Sequence, residues 1–406
     1  MNCKIYADIK YKKYFNHAIK HQYKLNDSDI NYDVVHNGII VNEYDKGYGV
    51  FDEKYRFIKS SLQCHKGHKG QFIPDFDHNN IQYVDADAVY LCNMGRMQFG
   101  HFLLEHLNRA WFLLTKTYKT GMKVVLVNEK AAQNIPEYMF ELLELIGVKH
   151  EDVLILDRTT KFRNVYIPDY CFDMDCCYSR KFRNIFKKMA ESVACKKQTY
   201  EKIYVSRTRL PMNRRTYNEI VIENIFQKNG YKVIYPETLP LKQQIFLISN
   251  CKCLAGLGGT ALHLALFMKP GGTVIQLKRN SINKDNADVQ YVINRANELN
   301  SVFVWASIEK VKTEHYSNVP QIVGVTDYMK CFLDDNNFAF DTSDTRLDAV
   351  EYDEYLKCLQ AQFGKNNIDV VNKLKKFIVH LIALVIPGRL NRGRIRSRLS
   401  KFLRVK

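Results

Sequence analysis

The sequence predicts an α/β fold built from two units in series, and three observations predict it. From Leu254 to Leu277 the stretch LAGLGGTALHLALFMKPGGTVIQL reads as strand, glycine turn, short apolar helix, Lys-Pro-Gly-Gly stop and strand. That is the repeating unit of a parallel sheet. The same strand–helix alternation runs from about residue 85 to residue 169 and again from 202 to 277. Between the two runs, SRKFRNIFKKMAESVACKK (179–197) reads as a basic helix leading to a boundary near Thr199. Two such units imply two facing domains with a cleft at their strand C-termini.

Each element follows from local pattern. VVHNGIIVNEYDKGYGVFD alternates like a hairpin, within an N-terminal region of short strands and turns. DADAVYLCN ends as a strand, and its Asp85-x-Asp87 pair reads as a solvated turn before it. FGHFLLEHLNRAWFLLTK places Phe102, Leu103, Leu107, Trp111 and Leu114 at helical spacing. KVVLVNEK is a strand, PEYMFELLELIG a helix closed by Gly147, and DVLILD and RNVYIPD are further strands. In the second unit KIYVSR, YKVIYP and VFVWAS are strands, while NEIVIENIFQKNG and LKQQIFLISN are helices. The expected division is 1–198 for the first domain, 199–347 for the second, a late helix over 348–364, and a basic amphipathic tail over 365–406.

Composition bounds the rest. At 406 residues, with 46% hydrophobic and 25% charged residues, the chain is globular and long enough for two domains. No apolar run reaches the roughly 18 residues of a spanning helix, and MNCKIYADIKYKKYFNHAIK lacks the apolar core of a signal peptide. A cytoplasmic location is expected, and the odd count of 11 cysteines fits free thiols. CFDMDCC (171–177) and CHKGH (64–68) are lone clusters without a second Cys/His pair at zinc-finger spacing, so no metal site is expected there. The net charge of +17 sits mainly in the tail, where Lys365–Lys406 carries twelve Lys and Arg against one Asp.

That tail joins a ten-residue apolar run, Phe377–Ile386, to a Pro387-Gly388 break and a cationic stretch, Arg389–Lys406. Ile395, Leu399 and Phe402 fall on one helix face, with arginines around the others. Such a segment is expected to lie on an anionic membrane surface. Stacking aromatics do not interleave with the cations apart from Phe402, so nucleic acid is not the expected partner.

Two stretches carry chemistry. At Gly258-Gly259 a ligand can approach bare backbone, and the following helix start, with the Thr260 hydroxyl, suits a phosphate; a tight turn alone would also use two glycines. YVSRTRLPMNRRTYNEI (204–220) sets Arg207, Arg209, Arg214 and Arg215 beside a strand end. Arginine makes bidentate contacts to phosphate oxygens, and Arg207 closes a strand on the same edge as the glycine turn. In FGHFLLEHLNRAW, His101 and Glu105 share a helix face at i and i+4. A histidine beside a carboxylate is a general-base arrangement, and an amphipathic helix with a polar edge gives the same pattern.

Three blocks in order, FGHFLLEHLNRAWFLL, IYVSRTRLPMNRRTYNE and LISNCKCLAGLGGTALHLALFMKPGGTVIQL, together resemble glycosyltransferase family 61, including its bacterial capsule and surface-polysaccharide members. The resemblance spans about 90–280. It implies a GT-B-like architecture, two Rossmann-like domains facing across a cleft with a nucleotide-sugar donor on the second. It also implies transfer with inversion and no cofactor or catalytic metal. Where many members have Pro-His-Gly, this chain has Leu257-Gly258-Gly259, so the family's histidine is absent at Gly258.

The expectations follow from that. Glu105 or His101 supplies the base. Arg207, with Arg214 or Arg215, the Gly258, Gly259 and Thr260 backbone and His263 in place of the missing histidine, holds the donor diphosphate. Glu219 or Glu237 contacts the nucleotide. The acceptor is a bacterial surface polysaccharide or lipid-linked glycan, and the protein works peripherally on the inner face of the cell membrane. The competing reading is a cleft that binds a nucleotide or anionic glycan without turnover.

Overall fold

The computed structural model describes residues 2–9, 11–13, 15–16, 24–28, 30–43, 47–62, 75–94, 97–128, 134–173, 177–193, 198–211, 216–279, 289–308, 320–359 and 361. The expected tail over 365–406, Arg214, Arg215 and the CHKGH cluster lie outside them.

The described residues fold around two main sheets, one mixed and one parallel, with helices against them and two smaller sheets beside them. The first has the order Phe57–Ile58, Gly47–Phe51, Ile39–Glu43, Thr160–Pro168, Gln82–Asn93, Lys123–Val127, Val153–Leu156, with Tyr32–His36 also paired to Thr160–Pro168. Its last four strands in that order run parallel, and the hairpin strands join antiparallel. The VVLV and AVYLC runs are buried on both faces, as parallel strands between covering layers must be. Asp85 and Asp87 lie within a strand rather than in a turn before it. That strand starts at Gln82, and Arg163 from the neighbouring strand pairs with both carboxylates.

The second sheet is wholly parallel: Cys3–Tyr6, Asn300–Trp305, Thr273–Lys278, Cys253–Leu257, Lys202–Val205, Lys232–Ile234. Its first strand corrects the expected division at residue 198. Cys3–Tyr6 pairs with Asn300–Trp305, satisfying what would be an open edge, and Ala7, Tyr11 and Phe15 pack there against Tyr291 and Phe303. The late helix (349–359) also belongs to this unit. The Glu351 carboxylate accepts from the Asn218 backbone N–H at 2.5 Å, and Tyr355 is buried against Tyr217 and Ile322.

Each sheet has an apolar cluster on one face, and the two sheets share a third between them. One apolar cluster runs from Val89 and Leu126 in the first sheet, through the helix Arg180–Ser192, to Leu254 and Val274 in the second. Ser179 caps that helix by accepting from the Lys181 N–H at 3.0 Å. Phe182 and Phe186 form its buried face. A chain of aromatic contacts crosses the junction: Phe172 to Phe182 at 4.2 Å between ring centroids, Phe182 to Phe186 at 5.0 Å, Phe186 to Phe267 at 5.5 Å.

Two helices read from 3.6-residue spacing differ in detail. Phe99–His101 begins as α, Phe102–His106 widens to a π turn, and Leu107–Leu114 tightens to 3₁₀. Thr260–Phe267 is 3₁₀ throughout. Near-continuous apolar sequence leaves both buried on most sides, so tertiary packing rather than periodicity sets the turn.

Because the aromatic chain serves both sheets, Phe186→Ala is expected to lower stability by about 3–5 kcal/mol. Both sheets should still unfold together. Chemical denaturation followed by tyrosine and tryptophan fluorescence and by circular dichroism checks this; two separated transitions in the wild type would contradict the shared core.

Candidate functional site

In the second sheet the chain goes from Lys202–Val205 outward to Lys232–Ile234, then crosses back to Cys253–Leu257 and continues the other way. The ends of Lys202–Val205 and Cys253–Leu257 are therefore the point where strand order reverses, and the outgoing connections diverge and leave a crevice. Arg207 follows one of these ends and Gly258-Gly259 the other.

At that crevice the backbone is bare for a reason. Gly259 has φ +155° and ψ 178°, a region essentially reserved to glycine. A Cβ there would lie 3.2 Å from Arg207 Nη1 and 3.6 Å from Arg279 Nη2. Two guanidinium groups thus flank one empty Cα. Arg279 is fixed by its Nε donating to the Gly258 carbonyl at 2.6 Å, with Nη1 3.5 Å from Thr216 Oγ1. The Gly258 N–H is turned inward to the Leu277 carbonyl at 2.9 Å, and a Cβ on Gly258 would meet Gln276 Nε2 at 2.6 Å. Of the expected backbone donors, Gly258 therefore serves the sheet, while Gly259 and Thr260 stand at the open start of the helix.

Beneath Arg207 lie two buried carboxyls. Glu219 Oε1 accepts from the Arg207 backbone N–H at 3.1 Å and the Tyr204 hydroxyl at 3.2 Å. Glu223 accepts from Ser206, Thr208 and Tyr235. Burial pushes the Glu219 carboxyl up to about 8, against the opposing pull of the Arg207 N–H and guanidinium and of the Tyr204 hydroxyl; the nearby Glu223 adds to the rise. Glu219 is fully buried, which corrects its expected place as a nucleotide contact: it holds the Arg207 turn from below. Glu237 is exposed on the lip of the cleft.

The first unit closes the other side. A cleft of about 510 Å³ is lined by Phe99, Tyr138 and Glu141 from the first unit and by Arg207, Glu237 and Thr260 from the second. The two sides touch at Gly100, where a Cβ would lie 2.9 Å from Thr260 Cγ2 and 3.3 Å from His263 Cδ2. The next residue is His101, whose Nδ1 pairs with Glu105 Oε1. The His101 side chain is 31% exposed and that of Glu105 is 7%, so the imidazole is the accessible member of the pair. His263 Nδ1 bonds Gln290 Oε1 at 3.0 Å.

The fold thus brings His101, Glu105, Arg207, Gly258, Gly259, Thr260 and His263 to one region, with Glu219 below it and Glu237 at its rim. Sequence reading missed Arg279. The signal was present: Arg279 follows directly on Thr273–Lys278, the strand beside the glycine strand, and so falls at the same sheet edge. Glu223 and Gln290 were also missed, because burial of a polar residue is not visible in a single sequence. Among the described residues no group of three or more His, Cys, Asp or Glu side chains is arranged to hold a metal ion. Cys171 and Cys177 are free thiols, and Cys176 of the same cluster lies outside the described residues.

Residues 99–275 match the family model Glycosyltransferase 61. No curated protein matches the chain. The matched segment begins at the helix that carries His101 and Glu105, and it contains Arg207 and the glycine turn.

The raised Glu219 group gives a pH signature. Its neutral form is favoured in the fold, so its stabilising effect is complete below the unfolded value of roughly 4.3 and is lost as pH rises through about 8. Glu219→Gln keeps an acceptor for the Arg207 N–H and cannot ionise. Its melting temperature relative to wild type is expected to rise between pH 5.5 and about pH 8 and to level off above that. Paired thermal melts check this; a gap that stays constant with pH would remove the buried-acid assignment.

Proposed function

We propose, from the match of residues 99–275 to the glycosyltransferase family 61 model, that the chain is a glycosyltransferase that transfers a sugar from a nucleotide-sugar donor with inversion in a GT-B-like arrangement. The observation that carries this reading is the pair of guanidinium groups beside Gly259 at the strand-order reversal, with the His101–Glu105 pair on the helix whose Gly100 meets Thr260 and His263.

In this reading the donor diphosphate lies over the Gly259–Thr260 backbone between Arg207 and Arg279. Charge-assisted bidentate contacts there hold the pyrophosphate and stabilise the charge that grows on it as it leaves. Arg214 and Arg215 belong to the same arginine-rich loop. Glu237, at the rim, contacts the nucleotide. The acceptor hydroxyl enters from the first unit. His101 takes its proton, and Glu105 orients the ring and balances the imidazolium. The acceptor oxygen attacks the anomeric carbon from the side opposite the diphosphate; that C–O bond forms as the sugar–phosphate bond breaks, and the diphosphate departs with the electron pair. Arginines do the work that a divalent cation does in other transferases, so a metal-independent reaction without cofactor is proposed.

The acceptor is proposed to be a bacterial surface polysaccharide, such as a capsule glycan, or a lipid-linked precursor. The cationic tail (365–406) would hold the enzyme peripherally on the cytoplasmic face of an anionic membrane. Among the described residues no helix is long and apolar enough to cross a membrane.

The test is donor hydrolysis and transfer with UDP-, GDP- and CMP-linked sugars. Arg279→Ala and Arg207→Ala are each expected to weaken diphosphate-sugar binding by about ten- to a hundred-fold, as loss of one charge-assisted contact does. His101→Ala should lower kcat by roughly 10²–10⁴ with little change in donor Kd. Tight nucleotide binding without turnover of any donor would favour the non-catalytic alternative; unchanged binding in both arginine variants would remove the site.

A further inference from the structure

His263 stands at the centre of the cleft contact but is held from behind. Its Nδ1 meets Gln290 Oε1 at 3.0 Å, Gln290 Nε2 donates to Asn294 Oδ1 at 2.9 Å, and Asn294 Nδ2 donates to Ser301 Oγ at 2.9 Å. Gln290, Asn294 and Ser301 are each no more than 2% exposed. This line of neutral groups runs from the site, along one face of the helix Val289–Ala296, to the strand Asn300–Trp305.

The polarity of the line fixes the histidine. With the Gln290 amide nitrogen donating to Asn294, its oxygen faces the ring, and in this arrangement Nδ1 carries the hydrogen. The neutral ring then presents Nε2 as its basic atom. Nε2 is bonded to Cδ2, which lies 3.3 Å from the position of a Cβ on Gly100, so this edge of the ring faces the Gly100–His101 turn at the cleft. A surface histidine needs no buried amides behind it. Three polar side chains taken out of water and joined end to end cost desolvation that only complete hydrogen bonding offsets, which marks the line as a means of holding one ring in one orientation.

We infer that Gln290, backed by Asn294 and Ser301, is a positioning residue that locks His263 with Nε2 toward the cleft, where the ring takes up a solvent proton and donates it as a hydrogen bond to a phosphate oxygen of the donor. The inference rests on the reading of the cleft as a diphosphate site. Among the described residues, the charged and titratable groups on the elements packed against the His263 turn include His101 and Glu105, Arg207 and Arg279 beside Gly259, Arg183 and Lys187 on Arg180–Ser192, Lys242 on Leu241–Ser249, and Arg295 on Val289–Ala296. The two arginines hold the phosphate permanently. His263 adds a contact that exists only while the ring is charged. An amide behind Nδ1 orients the ring without holding it charged, as a carboxylate would.

The experiment uses the full chain and inorganic pyrophosphate as probe. In ¹⁵N-histidine spectra, with the His263 signals assigned by His263→Asn, the wild type should show the Nδ1-protonated neutral form, and Gln290→Leu should lose that preference. Pyrophosphate affinity should tighten about tenfold from pH 8 to pH 6 in the wild type, and this tightening should be absent in His263→Asn and Gln290→Leu. Gln290→Glu keeps the acceptor and adds a negative charge. It should retain the tautomer and carry the tightening upward by about 1 pH unit or more. An Nε2-protonated ring in the wild type, or the same pH dependence in Gln290→Leu and Gln290→Glu as in the wild type, would overturn the positioning role. Absence of pyrophosphate binding at every pH would overturn the phosphate contact and the diphosphate reading together, and the tautomer spectrum would still decide whether Gln290 positions the ring.

Discussion

A missing side chain organises this molecule. At Gly259 the backbone adopts φ +155°, and the space a Cβ would take is bounded by Arg207 and Arg279. Two cations so close to one Cα repel each other, and their neighbours show how they are kept there. Arg279 is tied to the Gly258 carbonyl, and the Arg207 backbone is tied to a buried carboxyl, Glu219. The strand order supplies the location, since the connections part between Lys202–Val205 and Cys253–Leu257.

The second constraint is contact between the units. Gly100 lets the helix carrying His101 and Glu105 rest on Thr260 and His263, and the Phe172–Phe182–Phe186–Phe267 chain fixes the units behind that contact. The pair from one sheet and the arginine turn from the other are thus held by a shared core rather than brought together by chance packing. Burial decides the division of labour within the pair. Glu105 is covered and His101 reaches solvent, which supports the proposal that the carboxylate orients and the imidazole acts.

Much of this was legible in the sequence where a residue type has a local reason. The glycine pair, the Lys-Pro-Gly-Gly stop and the strand-end arginine are local signals, and each fell where the pattern put it. The i, i+4 spacing of His101 and Glu105 survived the π turn that follows. What was not legible depends on distance along the chain. Cys3–Tyr6 pairs with Ser301–Val304, nearly three hundred residues away, and nothing in CKIY announces that partner. Glu219 was expected to contact the nucleotide and is buried, because the Tyr204 hydroxyl and the Arg207 N–H supply hydrogen bonds from a strand and the turn after it, whose position no single sequence reveals. Arg279 lies just past the strand Thr273–Lys278, and only the pairing of that strand with Cys253–Leu257 brings it to Gly258.

The most direct test of the account is a crystal structure of the full chain with a nucleoside diphosphate bound. The account predicts phosphate oxygens within about 3 Å of the guanidinium groups of Arg207 and Arg279 and of the Thr260 N–H, the spacing of charge-assisted hydrogen bonds, with the base in the cleft lined by Glu237. A diphosphate bound elsewhere, for example in the groove lined by Arg183, Lys187 and Lys269 behind the shared core, with the Gly259 turn unoccupied, would contradict it.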